Sequence, residues 1–172
     1  DQVWPQAAQQ RCWNHKIINV LDALPKSVQG KAGELLKQMP SAETRKEAET
    51  RRDTCVARYR NRYPKAVATL ERDWERMVTF FDFPEQHWQH LRTTNPVESP
   101  FAAVRLRTNA GKRYKRIQSA TALIWRVLMV AETRFRKLNA HQLLQDVYEG
   151  QKYKDGRPIE QTSTEVPMKE AA

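Results

Sequence analysis

The sequence predicts a mainly α-helical protein, with one short strand near its start. Three observations carry this prediction. Apolar residues recur three and four positions apart through most of the 172 residues, the spacing of one helix face. Glycines number only five, and Gly111, Gly150 and Gly156 fall at expected breaks. One segment, AAQQRCW from Ala7 to Trp13, has strand character, and nothing after it alternates.

The elements follow in order. Ile17, Ile18, Val20, Leu21 and Leu24 mark a first helix, stopped at Pro25. Val28, Ala32, Leu35, Leu36 and Met39 mark a second, ended by Pro40. Ser41, Glu43 and Thr44 open a third. It is very polar, and Ala48, Cys55, Val56, Tyr59 and Tyr63 give it only a thin apolar stripe. Pro64 suits the first position of a fourth, which Val67, Leu70, Trp74, Met77, Val78 and Phe81 extend to Pro84. Asn95 is a good N-cap and Pro96 fits the position after it, so a further helix starts there. A loop of small and basic residues, TNAGKRYKR, precedes a strongly amphipathic helix from Ala120 to Leu138. A last short helix carries Leu143, Leu144 and Val147 and stops at Gly150. From Gln151 the chain is polar and carries no apolar face, the composition of a disordered tail. There is no internal repeat.

Lys and Arg number 30 against 20 Asp and Glu, a formal charge of +10. Such an excess favours a polyanionic partner, nucleic acid or an anionic membrane surface. No stretch reaches the roughly 18 continuous apolar residues of a membrane span, so the membrane is not expected as a partner. No secretory signal pattern opens the chain. Two cysteines, Cys12 and Cys55, make no disulfide framework, which points to the reducing cytoplasm.

Charge is unevenly spread. Glu98 is the only acidic residue between Glu85 and Glu132, while Arg105, Arg107, Lys112, Arg113, Lys115, Arg116 and Arg126 follow it. Two readings of Glu98 stand at this point. As a capping-box residue its carboxylate reaches back to the Asn95 amide and complements the helix dipole. As a metal ligand it holds a divalent cation against a phosphate, since Mg²⁺ takes carboxylate and phosphate oxygens. The second reading needs companion acids; Asp1, Asp22, Asp53, Asp73 and Asp82 exist, but none lies in a strand-like context. The basic segment is a solvated loop or a phosphate-contacting surface, with Tyr114 available to pack on a sugar or base. Cys12-x-x-His15 has the spacing of half a zinc site but lacks a second pair, so packing at the strand-to-helix junction is its expected role. His87 and His90, three apart, read as surface or core residues, and Trp13, Trp74 and Trp88 as packing residues.

Several ordered motifs resemble the bacterial Mutator-type insertion-sequence transposases: RCWNHK, NVLDALPKSVQ, YPKAVATLERD, FFDFPEQHW and LRTTNPVESPFAAVRLRT. The similarity runs from about Val3 to about Gly150. It implies the C-terminal part of a ribonuclease-H-like catalytic domain with an all-helical insertion. Residues 1–14 would end the core, 15–91 form the insertion, 92–150 supply the C-terminal core helices, and 151–172 the tail. It implies metal-dependent DNA strand cleavage and strand transfer, in cut- or copy-and-paste transposition, with Mg²⁺ or Mn²⁺ held by two Asp and one Glu. The Glu maps onto Glu98, catalytic and metal-binding; both Asp fall upstream of this chain, which on its own would be inactive. Cys12 and His15 map onto the family's Cys-x-x-His pair, structural and near the active site. Arg92, Asn95, Arg105, Arg107, Lys112, Arg113, Lys115 and Arg116 are the expected DNA contacts, with transposon ends and target DNA as partners and a homo-oligomer as the active complex. Pro100 departs from the family pattern and threatens the turn that presents Glu98. The alternative is a catalytically incomplete basic helical module that binds DNA or another transposase chain.

Overall fold

The computed structural model describes Pro5 and residues 7–160. Nine α-helices dominate the described residues: α1 (Trp13–Asp22), α2 (Lys26–Gln38), α3 (Arg45–Tyr59), α4 (Pro64–Glu71), α5 (Trp74–Val78), α6 (Trp88–Leu91), α7 (Asn95–Gly111), α8 (Ile117–Glu132) and α9 (Leu143–Tyr148). Single 3-10 turns at Met39–Ser41, Thr79–Asp82 and Glu85–His87 link some of them. Two short strands, β1 (Tyr153–Lys154) and β2 (Arg157–Pro158), form an antiparallel hairpin.

One hydrophobic core holds residues 13 to 91 together. α1 buries Trp13, Ile17 and Val20 against α2 and α4, and α3 lies across α2. Leu36, Met39, Ala48, Met77, Val78 and Phe80 are completely buried. Each large apolar side chain so buried stabilises the fold by roughly 1.5–3 kcal/mol over leaving it exposed. Phe80, Phe81 and Trp88 stack as a cluster, with centroids 4.1–5.3 Å apart. The polar α3 is fixed by a cap: Thr44 Oγ1 accepts from the Glu47 amide at 3.2 Å, while Glu47 accepts from the Glu43 amide at 2.9 Å.

Four expectations change. The segment from Ala7 to Cys12 is not a strand. Its bonds go singly to helix ends and turns: Arg11 N–H to the Arg76 carbonyl, Trp13 N–H to the Arg92 carbonyl, both 2.8 Å, and the Gln10 side chain to Met77 O and Phe80 N. A strand needs a neighbouring ladder, and none is formed there. The fourth helix does not run through to Pro84. Asp73 takes a left-handed conformation (φ 61°), which breaks α4 from α5, and its carboxylate is ion-paired with Arg11. α7 continues through the small residues to Gly111, whereas the following helix stops at Glu132. Tyr114 accounts for the glycine at 111, because its ring occupies the space a Cβ there would need.

The polar tail is the fourth correction. Residues 153–158 fold into the β1–β2 hairpin and dock on the helical region; residues 161–172 lie outside the described residues. Asp155 (φ 48°) and Gly156 (φ 79°) form the turn. The Gly156 N–H bonds Phe81 O at 3.1 Å, its carbonyl accepts from Glu85 N–H at 3.2 Å, and Tyr153 is buried. Asp155 Oδ1 accepts from the Arg45 amide at 2.7 Å, placing a negative charge at the start of α3.

Candidate active-site acid and basic surface

The first turns of α1 and α7 come together. Glu98 lies in the first turn of α7 and His15 in the first turn of α1; His15 Nδ1 is 3.9 Å from Glu98 Oε1. The Glu98 side chain is 46% exposed, so this carboxylate opens to solvent. The helix is capped differently from the sequence reading. Thr94, not Asn95, is the N-cap, and Asn95 is the first helical residue. Glu98 N–H bonds Thr94 O at 2.9 Å, and the Thr94 hydroxyl donates to Glu98 Oε1. The carboxylate is thus held by the Thr94 side chain rather than by the Asn95 amide. That leaves Glu98 Oε2 without a bond among the described residues. Pro100 stands inside α7, which continues unbroken past it to Gly111. A proline there removes the donor to the Pro96 carbonyl.

Cys12 is the N-cap residue of α1. Burial pushes its thiol up, but the His15 amide, Thr94 and the His15 ring outweigh this and bring it down to about 7. Cationic and N–H dipoles at a helix start favour thiolate in this way. The Cys12 sulfur and then the Glu98 carboxylate raise the pKa of the exposed His15 in turn. Cys12, His15, Thr94 and Glu98 therefore form one polar cluster where two helices begin, in place of the expected strand-to-helix junction.

Among the described residues, no group of three His, Cys, Asp or Glu side chains converges to hold a metal ion. Glu98 offers one carboxylate, and Asp1 lies outside the described residues. Asp53 pairs with Arg52 at 2.8 Å and Asp73 with Arg11, and burial raises the pKa of Asp82. The described residues do not by themselves fit Mg²⁺ or Mn²⁺.

The expected DNA contacts divide. Seven positions from Glu98, Arg105 returns to the same face of α7, about 10 Å further along the axis. Arg105, Arg107, Lys112, Arg113, Lys115 and Arg116 are all exposed, and Asn95 is exposed beside Glu98. Lys112 takes a positive φ of 52° that turns the chain out of α7. Tyr114 is half-buried, with its hydroxyl set against Gly111 and without a hydrogen-bond partner among the described residues. Arg92 differs from the others in being half-buried. Its guanidinium bonds the Pro40 and Trp88 carbonyls and lies 5.7 Å over the Phe80 ring, and burial lowers its pKa. It ties the helical region together. His87 is buried with Nε2 3.1 Å from Ala140 O, and Trp13, Trp74 and Trp88 are core residues.

Lys16 had no sequence signal. It is buried, and its ammonium bonds Thr69 O at 2.8 Å and Arg72 O at 2.5 Å, closing the end of α4. Burial lowers its pKa. The cations Arg126, Arg134, Arg136 and Lys137 were also missed as a group, because the segment reads as the continuation of an amphipathic helix.

Comparison with known proteins places the chain in a family. The sequence profile described as "Transposase, Mutator family" matches residues 1–137. The transposase for insertion sequence element IST2 of Acidithiobacillus ferrooxidans is 41% identical over 162 residues, covering 94% of this chain and 55% of that protein. The transposase for insertion sequence element IS6120 of Mycolicibacterium smegmatis is 38% identical over 166 residues, covering 96% and 51%. The transposase for insertion sequence element ISRM5 of Rhizobium meliloti (strain 1021) is 27% identical over 151 residues, covering 88% and 38%. The chain spans about half the length of the first two relatives. No helix among the described residues is long and apolar enough to cross a membrane. With a family match that spans most of its length, the chain belongs to the Mutator family of transposases.

Proposed function

We propose that this chain is the C-terminal part of a DNA transposase, and that Glu98 is one of the acids that carry out strand cleavage and strand transfer. The observation that carries the reading is the placement of Glu98. It is the lone carboxylate of a basic stretch, half exposed, oriented by Thr94 and faced by His15. A carboxylate serving only as a helix cap would bond the backbone amides of its own first turn.

The helices that carry it support a place in a larger, ribonuclease-H-like domain. α8 contains only two charged residues, yet none of its sixteen residues is buried. Trp125, Met129 and Val130 stand in solvent together with Phe101 and Leu106 of α7. An apolar helix face left in solvent marks a surface made to be covered. On this reading Phe101, Leu106, Trp125 and Met129 pack against polypeptide contributed by the other half of the family's longer chain, which also brings two Asp, and the opposite side of the pair stays open. Mg²⁺ or Mn²⁺ would be bound there by those acids together with Glu98. Arg105, Arg107, Lys112, Arg113, Lys115, Arg116 and Asn95 hold the DNA, transposon ends and target alike, and the active complex is a homo-oligomer.

A Glu98→Gln exchange in the full-length transposase tests the assignment. Strand cleavage is expected to fall at least about a hundred-fold, while DNA affinity stays unchanged. Full cleavage by the variant would reduce Glu98 to a partner of Thr94. The second reading is a basic helical module without chemistry, supported by the exposed cations from Arg105 to Arg116. It predicts no cleavage even when the upstream half is supplied.

A further inference from the structure

α7 and the end of α8 enclose a groove of about 900 Å³ that continues along residues 134–138. Its polar lining is almost entirely cationic: Arg107, Arg126, Arg134, Arg136 and Lys137, with His90 at one end and no Asp or Glu. None of these five cations forms a side-chain ion pair among the described residues, although seven such pairs occur elsewhere. The floor is apolar, built from Pro96 and Pro100 of α7 and Val127 and Val130 of α8, and Phe135 beside it is 61% exposed. Positions 96, 100, 103 and 107 share one face of α7, about half a turn round the helix from Glu98. The groove is therefore a separate site from the Glu98 carboxylate.

Five positive charges around one concavity, without ion partners among the described residues, repel each other and call for a polyanion. An apolar floor with an accessible aromatic ring calls for flat apolar groups as well. An unpaired nucleic-acid strand offers both: phosphates for the guanidinium groups, and bases for Phe135 and the proline-valine floor. A duplex hides its bases and is too wide to enter. A lipid surface would meet an outward-facing ridge rather than a recess. The volume falls at the upper end of ligand-sized pockets, roughly 300–1,000 Å³, enough for one or two splayed nucleotides.

We propose that this groove binds an unpaired DNA strand, with Arg134, Arg136 and Lys137 on its phosphates and Phe135 stacked on a base. The site stands apart from the reading of Glu98 and does not need it.

The test is anisotropy of fluorescein-labelled dT12 with the 172-residue chain, over a salt series, beside a 12-base-pair duplex and phosphatidylserine vesicles. Arg134→Gln, Arg136→Gln and Lys137→Gln together should weaken dT12 binding at least ten-fold at 100 mM salt. They should also flatten the log–log salt slope by about 2, near 0.7 per phosphate lost. Phe135→Ala should weaken dT12 binding roughly 5- to 150-fold, the range of one lost base stack, and leave the slope unchanged. Duplex binding should change less than dT12 binding in both variants. Wild-type dT12 affinity in either variant overturns the proposal, as does an equal loss for duplex. Loss confined to the vesicles would assign the groove to a lipid surface instead.

Discussion

α3 and α8 form a contrasting pair. α3, RKEAETRRDTCVARY, carries eight charged residues in fifteen and still buries Ala48, Cys55, Val56 and Tyr59. α8, IQSATALIWRVLMVAE, carries two in sixteen and buries none. Burial is decided by the partner a helix finds as much as by its own composition. α3 lies against α2, the Met39–Ser41 turn and α4, whereas α8 has α7 as its main neighbour. The contrast extends to the regions they represent. Residues 13–91 close a core of their own. The α7–α8 pair, which carries Glu98, leaves Phe101, Leu106, Trp125, Met129 and Val130 uncovered. The half of the molecule that owns its stability is thus the one without the candidate catalytic acid.

The largest expected effect compares equivalent truncations in the two regions. Phe80→Ala removes a fully buried ring and should cost about 3–5 kcal/mol in urea unfolding. Trp125→Ala, 59% exposed, should stay within about 0.5 kcal/mol in this chain. Similar losses from both would erase the distinction between the regions. A smaller effect is expected at the hairpin. Gly156→Ala forces a left-handed residue, and its Cβ would sit 2.7 Å from Glu85 Cβ and 2.9 Å from Trp88. The cost should be roughly 1–2 kcal/mol or more, seen as a lower Tm. An unchanged Tm would mean that the hairpin is not held to the Phe81–Glu85 turn.

The smallest effect is chemical. Cys12 and Cys55 should separate in an iodoacetamide series followed by mass spectrometry. Thiolate is the reactive form, so alkylation of Cys12 should rise with pH through about 7 and level off above it. Cys55, buried and pushed up to about 11, should stay unmodified until the fold opens. His15→Ala should move the Cys12 midpoint upward, because the imidazole no longer favours the thiolate. Equal reactivity of the two thiols at pH 7 would remove the polar cluster from the account.

Most helices were legible because one apolar face repeats and prolines bound it, as at Pro25 and Pro64. The break at Asp73 was not, since a non-glycine residue in a left-handed corner leaves no compositional mark. The hairpin did leave one: Asp155-Gly156 is a tight-turn dipeptide, outweighed by the polarity around it. The Cys12–His15–Glu98 cluster depends on contact between residues more than eighty positions apart, which helical spacing cannot reveal. The family resemblance brought the three together as motif residues, while Thr94 emerged only from the geometry. Arg92 shows the converse. The resemblance set it among the DNA contacts, and only the geometry shows its bond to the Pro40 carbonyl and its place over the Phe80 ring.

The most direct test of the account is backbone hydrogen exchange on α8, in this chain alone and after joining it to the N-terminal half of a family member. Exchange reports the opening free energy of each segment. The prediction is that α8 is poorly protected alone and gains at least about ten-fold protection, some 1.4 kcal/mol, in the joined protein, while α1–α4 stay as they were. Strong protection of α8 in the chain alone, or no gain on joining, would contradict the claim that Glu98 sits on helices completed from outside this sequence.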